Sequence, residues 1–77
     1  MKILNQDKDM IVNLDNAYAV AISSLEDNKG IRVALGEHGS IILGRYKTED
    51  RTKEVLLDIY EKMKSDNFDF TYEMPQE

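Results

Sequence analysis

The chain has no cysteine and no tryptophan, and only one proline, one histidine and four glycines in its 77 residues. Without cysteine there can be no disulfide, no thiolate metal site and no thiol nucleophile, a usage that fits a reducing compartment. One histidine holds a metal only inside a cage of carboxylates, and the acidic residues show no such spacing. Asp7-Lys8-Asp9 lacks the glycine and the distal glutamate of a calcium loop. No run of apolar residues reaches the length of about 18 that a membrane span needs. The opening "MKILNQDKDM" turns polar after Leu4 and so lacks the apolar core of a signal peptide. These absences lead us to expect a cytoplasmic protein with no cofactor, no bound metal and no membrane contact.

Acid exceeds base, 15 residues to 10, for a net charge of −5. The excess is uneven: residues 1–46 hold five basic and six acidic groups, residues 47–77 five and nine. An acidic C-terminal third argues against nucleic acid, whose binding releases counterions through clustered Lys and Arg. It leaves room for a basic protein partner, toward which an acidic helix face would mimic phosphates. A domain of this size buries only about 60–65% of its unfolded surface. With no disulfide or metal to add stability, self-association is the remaining way to bury more, and a dimer is expected.

Period-two patterns dominate the first two thirds. Met1–Leu4 and "MIVNL" (10–14) read as a hairpin across the polar "NQDKD". "AYAVAISSL" (17–25) alternates, with Tyr18, Val20 and Ile22 on one side and Ala17, Ala19 and Ala21 on the other. After the turn "EDNKG", in which Gly30 is available for positive φ, "IRVAL" (31–35) alternates again, and "SIILGRYK" (40–47) is apolar on both faces. Gly44 inside that strand marks a bulge or a close approach. Between the last two strands lies Gly36-Glu37-His38-Gly39. A phosphate loop would lead into a helix. Here a strand lies on both sides, so this is a hairpin turn with His38 at its tip.

From Thr48 the period becomes helical. "TEDRTKEVLLDIYEKMKSDN" puts Thr52, Val55, Leu56, Ile59, Tyr60 and Met63 on one stripe. Thr48 is the N-cap, Glu49 and Asp50 meet the positive end of the dipole, and Lys62 and Lys64 the negative end. Glu49–Lys53 and Asp58–Lys62 stand at i, i+4 spacing. "FDFTY" (68–72) alternates as a final strand, and "EMPQE" reads as a frayed tail. The fold class is therefore α+β, one domain over 1–77: an antiparallel meander of about five strands, one C-terminal helix on one face and a short final strand. One helix leaves the opposite, alanine-rich face of the sheet uncovered.

No constellation for catalysis emerges. His38 and Ser40 share a strand face, but nothing supplies an oxyanion hole, and Glu37 points away. The remaining candidates are binding groups. Arg32, Arg45 and Arg51 are the only arginines, Tyr46 is one of four tyrosines able to present an aromatic body with a polar tip, and His38 stands at a loop tip. We take these five as possible ligand or partner contacts.

"MKILNQDKDMIVNLDN" together with "IILGRYKTEDRTKEVLLDIYEKM" resembles a group of short uncharacterised proteins that recur in phages and prophages of Gram-positive bacteria. The shared features are the Met-Lys-Ile opening with its Gln-Asp turn, Asn-Leu-Asp-Asn, and Leu-Gly-x-Tyr-x-Thr-Glu-Asp before the helix. They specify a hairpin, a turn, a strand and an N-cap. The resemblance implies a small accessory protein of a mobile element and no catalytic residue. The function expected is non-enzymatic binding of a host component, such as a defence system. The alternative is an oligomer that binds or sequesters a nucleotide signal, with arginines at the subunit junction.

Overall fold

The computed structural model describes residues 1–65 and 71–77, with His38 described by its backbone alone. Strands β1 (Lys2–Leu4), β2 (Ile11–Asn13), β3 (Ala19–Ser24), β4 (Lys29–Ala34) and β5 (Ser40–Tyr46) precede helix α1 (Glu49–Lys64) and strand β6 (Thr71–Glu73). The α+β class, with one helix and a short final strand, holds. Within it the first five strands divide between two sheets. β3, β4 and β5 form an antiparallel meander in that order, while β1 lies between β2 and β6, antiparallel to the first and parallel to the second. The meander breaks after β2 because the chain winds into a 3-10 turn at Leu14–Asn16, where the Asn13 side chain accepts from the Asp15 amide. Of the expected "FDFTY" strand, Thr71 and Tyr72 are in β6, and residues 68–70 lie outside the described residues.

Alternation decides which face each strand buries. Cross-strand pairs Val20↔Val33↔Ile41 and Ile22↔Ile31↔Gly44 set one face of the larger sheet against α1. Between the pairs Ile31↔Gly44 and Arg32↔Ile42, Leu43 is an extra residue, a bulge that carries its side chain into the core. The Tyr46 ring folds back over Gly44, where a Cβ would lie 2.9 Å from the tyrosine oxygen, so the expected bulge and the expected close approach are both present. Gly30 serves packing rather than positive φ. A Cβ there would stand 2.8 Å from Leu25 Cδ1, and the glycines at positive φ are Gly36 and Gly39 in the β4–β5 turn.

α1 begins at the expected cap, with the Thr48 hydroxyl accepting from the Arg51 amide. Thr52, Val55 and Ile59 are buried, and Leu56 packs partly against the core. The expected stripe is too wide: Tyr60 and Met63 are 54% and 45% exposed, because the helix reaches past the edge of a sheet only three strands across. Tyr18, expected beneath the helix, is 81% exposed; it precedes the first paired residue of β3 and lies over Gly36 instead. Asp58–Lys62 closes at 3.1 Å, whereas no Glu49–Lys53 pair forms among the described residues. No helix among the described residues is long and apolar enough to cross a membrane.

The tail is not frayed. Met74 is 3% exposed, its amide donates to Leu4 O, and Tyr46 Oη donates to Pro75 O at 2.8 Å. Gln6 ties this tail to the outer edge of β5. Its amide donates to Leu43 O and its side-chain oxygen accepts from the Arg45 amide. Its side-chain nitrogen donates to the carbonyls of Arg45, Pro75 and Gln76. The Gln76 side chain returns a hydrogen bond to Gln6 O. A polar residue in the first loop thus takes the place of a fourth strand of this sheet along β5.

Candidate functional site

The end of β5 and the first turn of α1 enclose a pocket of about 580 Å³, lined by Asn28, Arg45, Tyr46, Lys47, Thr48, Arg51 and tail residues Gln76 and Glu77. Alternation along β5 sends Tyr46 into the core and Arg45 outward, and the helix cap then brings Arg51 back toward both. The Arg51 guanidinium donates from Nε to the Glu77 main-chain oxygen at 2.8 Å, lies 6.0 Å from the Tyr46 ring centroid and reaches Glu54 only at 4.0 Å. Arg45 and Lys47 have no carboxylate partner among the described residues. Three cations therefore face one pocket in a chain of net charge −5, against a single acidic lining residue, Glu77.

Burial dominates the electrostatics beneath this pocket. It pushes the Tyr46 phenol up to about 12, against a smaller downward pull from Arg51. Tyr72 is likewise raised above the ordinary tyrosine range, first by burial and then by donating its hydroxyl to Asp58 at 2.7 Å. Asp58 is lowered by that hydrogen bond and by Lys62. Both tyrosines are thus neutral donors at physiological pH, Tyr46 to Pro75 O and Tyr72 to Asp58.

Three of the five sequence candidates meet here, namely Arg45, Arg51 and Tyr46. Tyr46 forms the floor, being 2% exposed. Arg32 does not join them. It lies on the face of the larger sheet away from α1, where Nε donates to Ser23 Oγ at 3.2 Å and one terminal nitrogen to Ser40 Oγ at 2.7 Å. The His38 backbone forms the 3-10 turn Gly36–His38 at the start of β5, the end opposite the pocket, and its side chain lies outside the described residues. Lys47 was not singled out from the sequence. The alternation Arg45-Tyr46-Lys47 was the available signal, since it turns both cations away from a buried ring.

A second concavity, about 550 Å³, runs between α1 and β3. Its lining is apolar: Leu14, Val20 and Leu56 at its base, Tyr18, Leu57, Tyr60 and Met63 at its walls. Leu57, Tyr60 and Met63 recur at three-residue spacing, a second stripe beside the buried one, and that spacing was its sequence signal. The acidic groups of α1 do not form one continuous surface, because Asp58, Glu61 and Glu54 stand beside Lys62, Lys64 and Arg51 respectively. No known family model matches the chain, and neither a curated protein nor a solved structure matches it.

Proposed function

We propose that this chain is a non-enzymatic accessory protein of the phage and prophage kind, which acts in the host cytoplasm by binding and modulating a host component such as a defence system. The observation that supports this reading is the pocket of Arg45, Lys47 and Arg51. Like charges held together destabilise the free protein, and an anionic group supplied by a partner offsets that repulsion with charge-assisted hydrogen bonds. The Arg51 fork and the rigid floor at Tyr46 suit a carboxylate or a phosphate. A host protein captured from lysate by the native chain, and lost with Arg45→Glu and Lys47→Glu at unchanged fold, is the expected result. Equal capture by the charge-reversed chain would refute it.

The pocket volume favours a second reading, sequestration of a nucleotide signal, since about 580 Å³ falls within the range of roughly 300–1,000 Å³ typical of small-molecule sites. Under this reading a nucleotide at about 100 times its Kd adds ~2.7 kcal/mol to stability. That raises Tm by about 10–20 °C for a domain of this size. A thermal-shift screen with nucleotides, repeated on Arg51→Ala, separates the two readings, because a protein partner leaves the screen flat.

A further inference from the structure

We infer that β3 is the contact edge of a symmetric dimer, in which a second copy of the chain adds its own β3 antiparallel to the first and closes the apolar groove beside α1. The two edges of the larger sheet are treated in opposite ways. Along β5, Gln6 occupies the outer amide and carbonyls of residues 43–45. Along the outer side of β3, no hydrogen bond is made among the described residues. Folded chains normally guard such an edge with a lysine, a proline or a bulge. Residues 17–25, "AYAVAISSL", contain none of these and no charge at all.

The absence of charge also identifies the occupant. The groove's lining carries no ionisable group other than tyrosine, and the Lys64 ammonium beside it, 5.3 Å from the Tyr60 ring centroid, already stands 3.8 Å from Glu61. Two copies of net charge −5 repel elsewhere and can meet closely only where each is uncharged. A strand paired antiparallel with itself is self-complementary, as a two-fold axis requires. The area is also sufficient. Tyr18, Tyr60, Leu57 and Met63 are 81%, 54%, 60% and 45% exposed. At roughly 200 Å² for a whole tyrosine, these four offer about 450 Å². The strand's own atoms bring each copy to the ~600 Å² at the lower end of a specific interface. The alanine-bearing face fits less well, because Arg32, spanning from Ser23 to Ser40, sets a charge at its centre.

The groove lies away from the basic pocket, so the dimer leaves Arg45, Lys47 and Arg51 open. Light scattering on eluting protein, from low to high micromolar concentration, should show the mass move from 8.9 kDa toward twice that value. Leu57→Lys and Tyr60→Lys, both on the solvent side of α1, should each weaken the dimer at least ~10-fold without changing the circular dichroism. Ala34→Lys, on the outer face of central strand β4, should leave it intact. Amide exchange of native protein gives a readout free of any variant: protection along β3 should rise with protein concentration. A monomer across the whole range overturns the inference. So does a dimer split by Ala34→Lys but not by Leu57→Lys or Tyr60→Lys, which would mean packing through the alanine face. Protection along β3 that does not depend on concentration overturns it too, by assigning the edge to the chain itself.

Discussion

Tyr72 and Asp58 show how one hydrogen bond sets two protonation states in opposite directions. The phenol donates to the carboxylate at 2.7 Å, which favours neutral tyrosine and charged aspartate together. The consequences for stability have opposite signs at the two ends of the pH scale. Tyr46 and Tyr72 are raised in the fold, so their contribution is complete below the ordinary tyrosine value of about 10. It is lost as pH climbs through their folded values, about 12 for Tyr46. Asp58 is lowered, so its contribution is present above about 4 and is lost as pH falls through its folded value. Urea unfolding of Tyr72→Phe should show about 1.5–3 kcal/mol less stability at neutral pH, the worth of a hydrogen bond to a charged group. The variant should also lose less than the native chain between pH 9 and pH 12. An unchanged alkaline slope would mean that Tyr72 ionises freely in the fold.

At the scale of elements, α1 has two apolar stripes with different fates. Val55 and Ile59 are each 1% exposed against the larger sheet, while Leu57 is 60% exposed. Truncating a fully buried aliphatic removes its transfer free energy and leaves a cavity, about 2–5 kcal/mol for Ile→Ala. A domain of this size has only about 4–12 kcal/mol in all. Ile59→Ala should therefore remove a large share of the stability, whereas Leu57→Ala should stay within about 0.5 kcal/mol when measured at concentrations too low for association. Comparable losses at both positions would show that the groove is covered within a single chain.

For the molecule as a whole, two three-stranded sheets share one core, and much of their joining falls to Gln6 and the tail. Met74, Tyr72 and Ile3 enter the same cluster as Val33 and Leu43. Gln6→Ala leaves the Arg45 amide and the Gln76 carbonyl without this partner, while Pro75 O keeps its bond from Tyr46. The bonds lost at Arg45 and Gln76 are exposed, so each is worth about 0.5–1.5 kcal/mol. The expected result is a Tm lowered by about 4–8 °C per kcal/mol, with amide exchange quickening first at Arg45 and at the amides of Met74, Gln76 and Glu77. A loss spread evenly over the chain would argue that the two sheets unfold as one unit and that Gln6 is not their hinge point.

The local elements follow from short-range patterns in the chain. Period-two alternation, turn chemistry at Gly36 and Gly39, and the Thr48 cap act over a few residues. The strands and helix they imply are therefore present, in the α+β class expected. The gathering of Arg45, Arg51 and Tyr46 was half legible, because it follows from alternation along β5 and the helix start close behind it. Long-range geometry decided the rest. Only the folded chain shows that β1 and β2 leave the meander for a second sheet in which β1 pairs with β6, that Gln6 imitates a strand along β5, and that Arg32 is tied up by two serines. Likewise the exposure of Tyr18, Tyr60 and Met63 depends on how far a helix overhangs a sheet of three strands. Periodicity identifies the apolar side of an element, but not whether an opposing surface is wide enough to cover it.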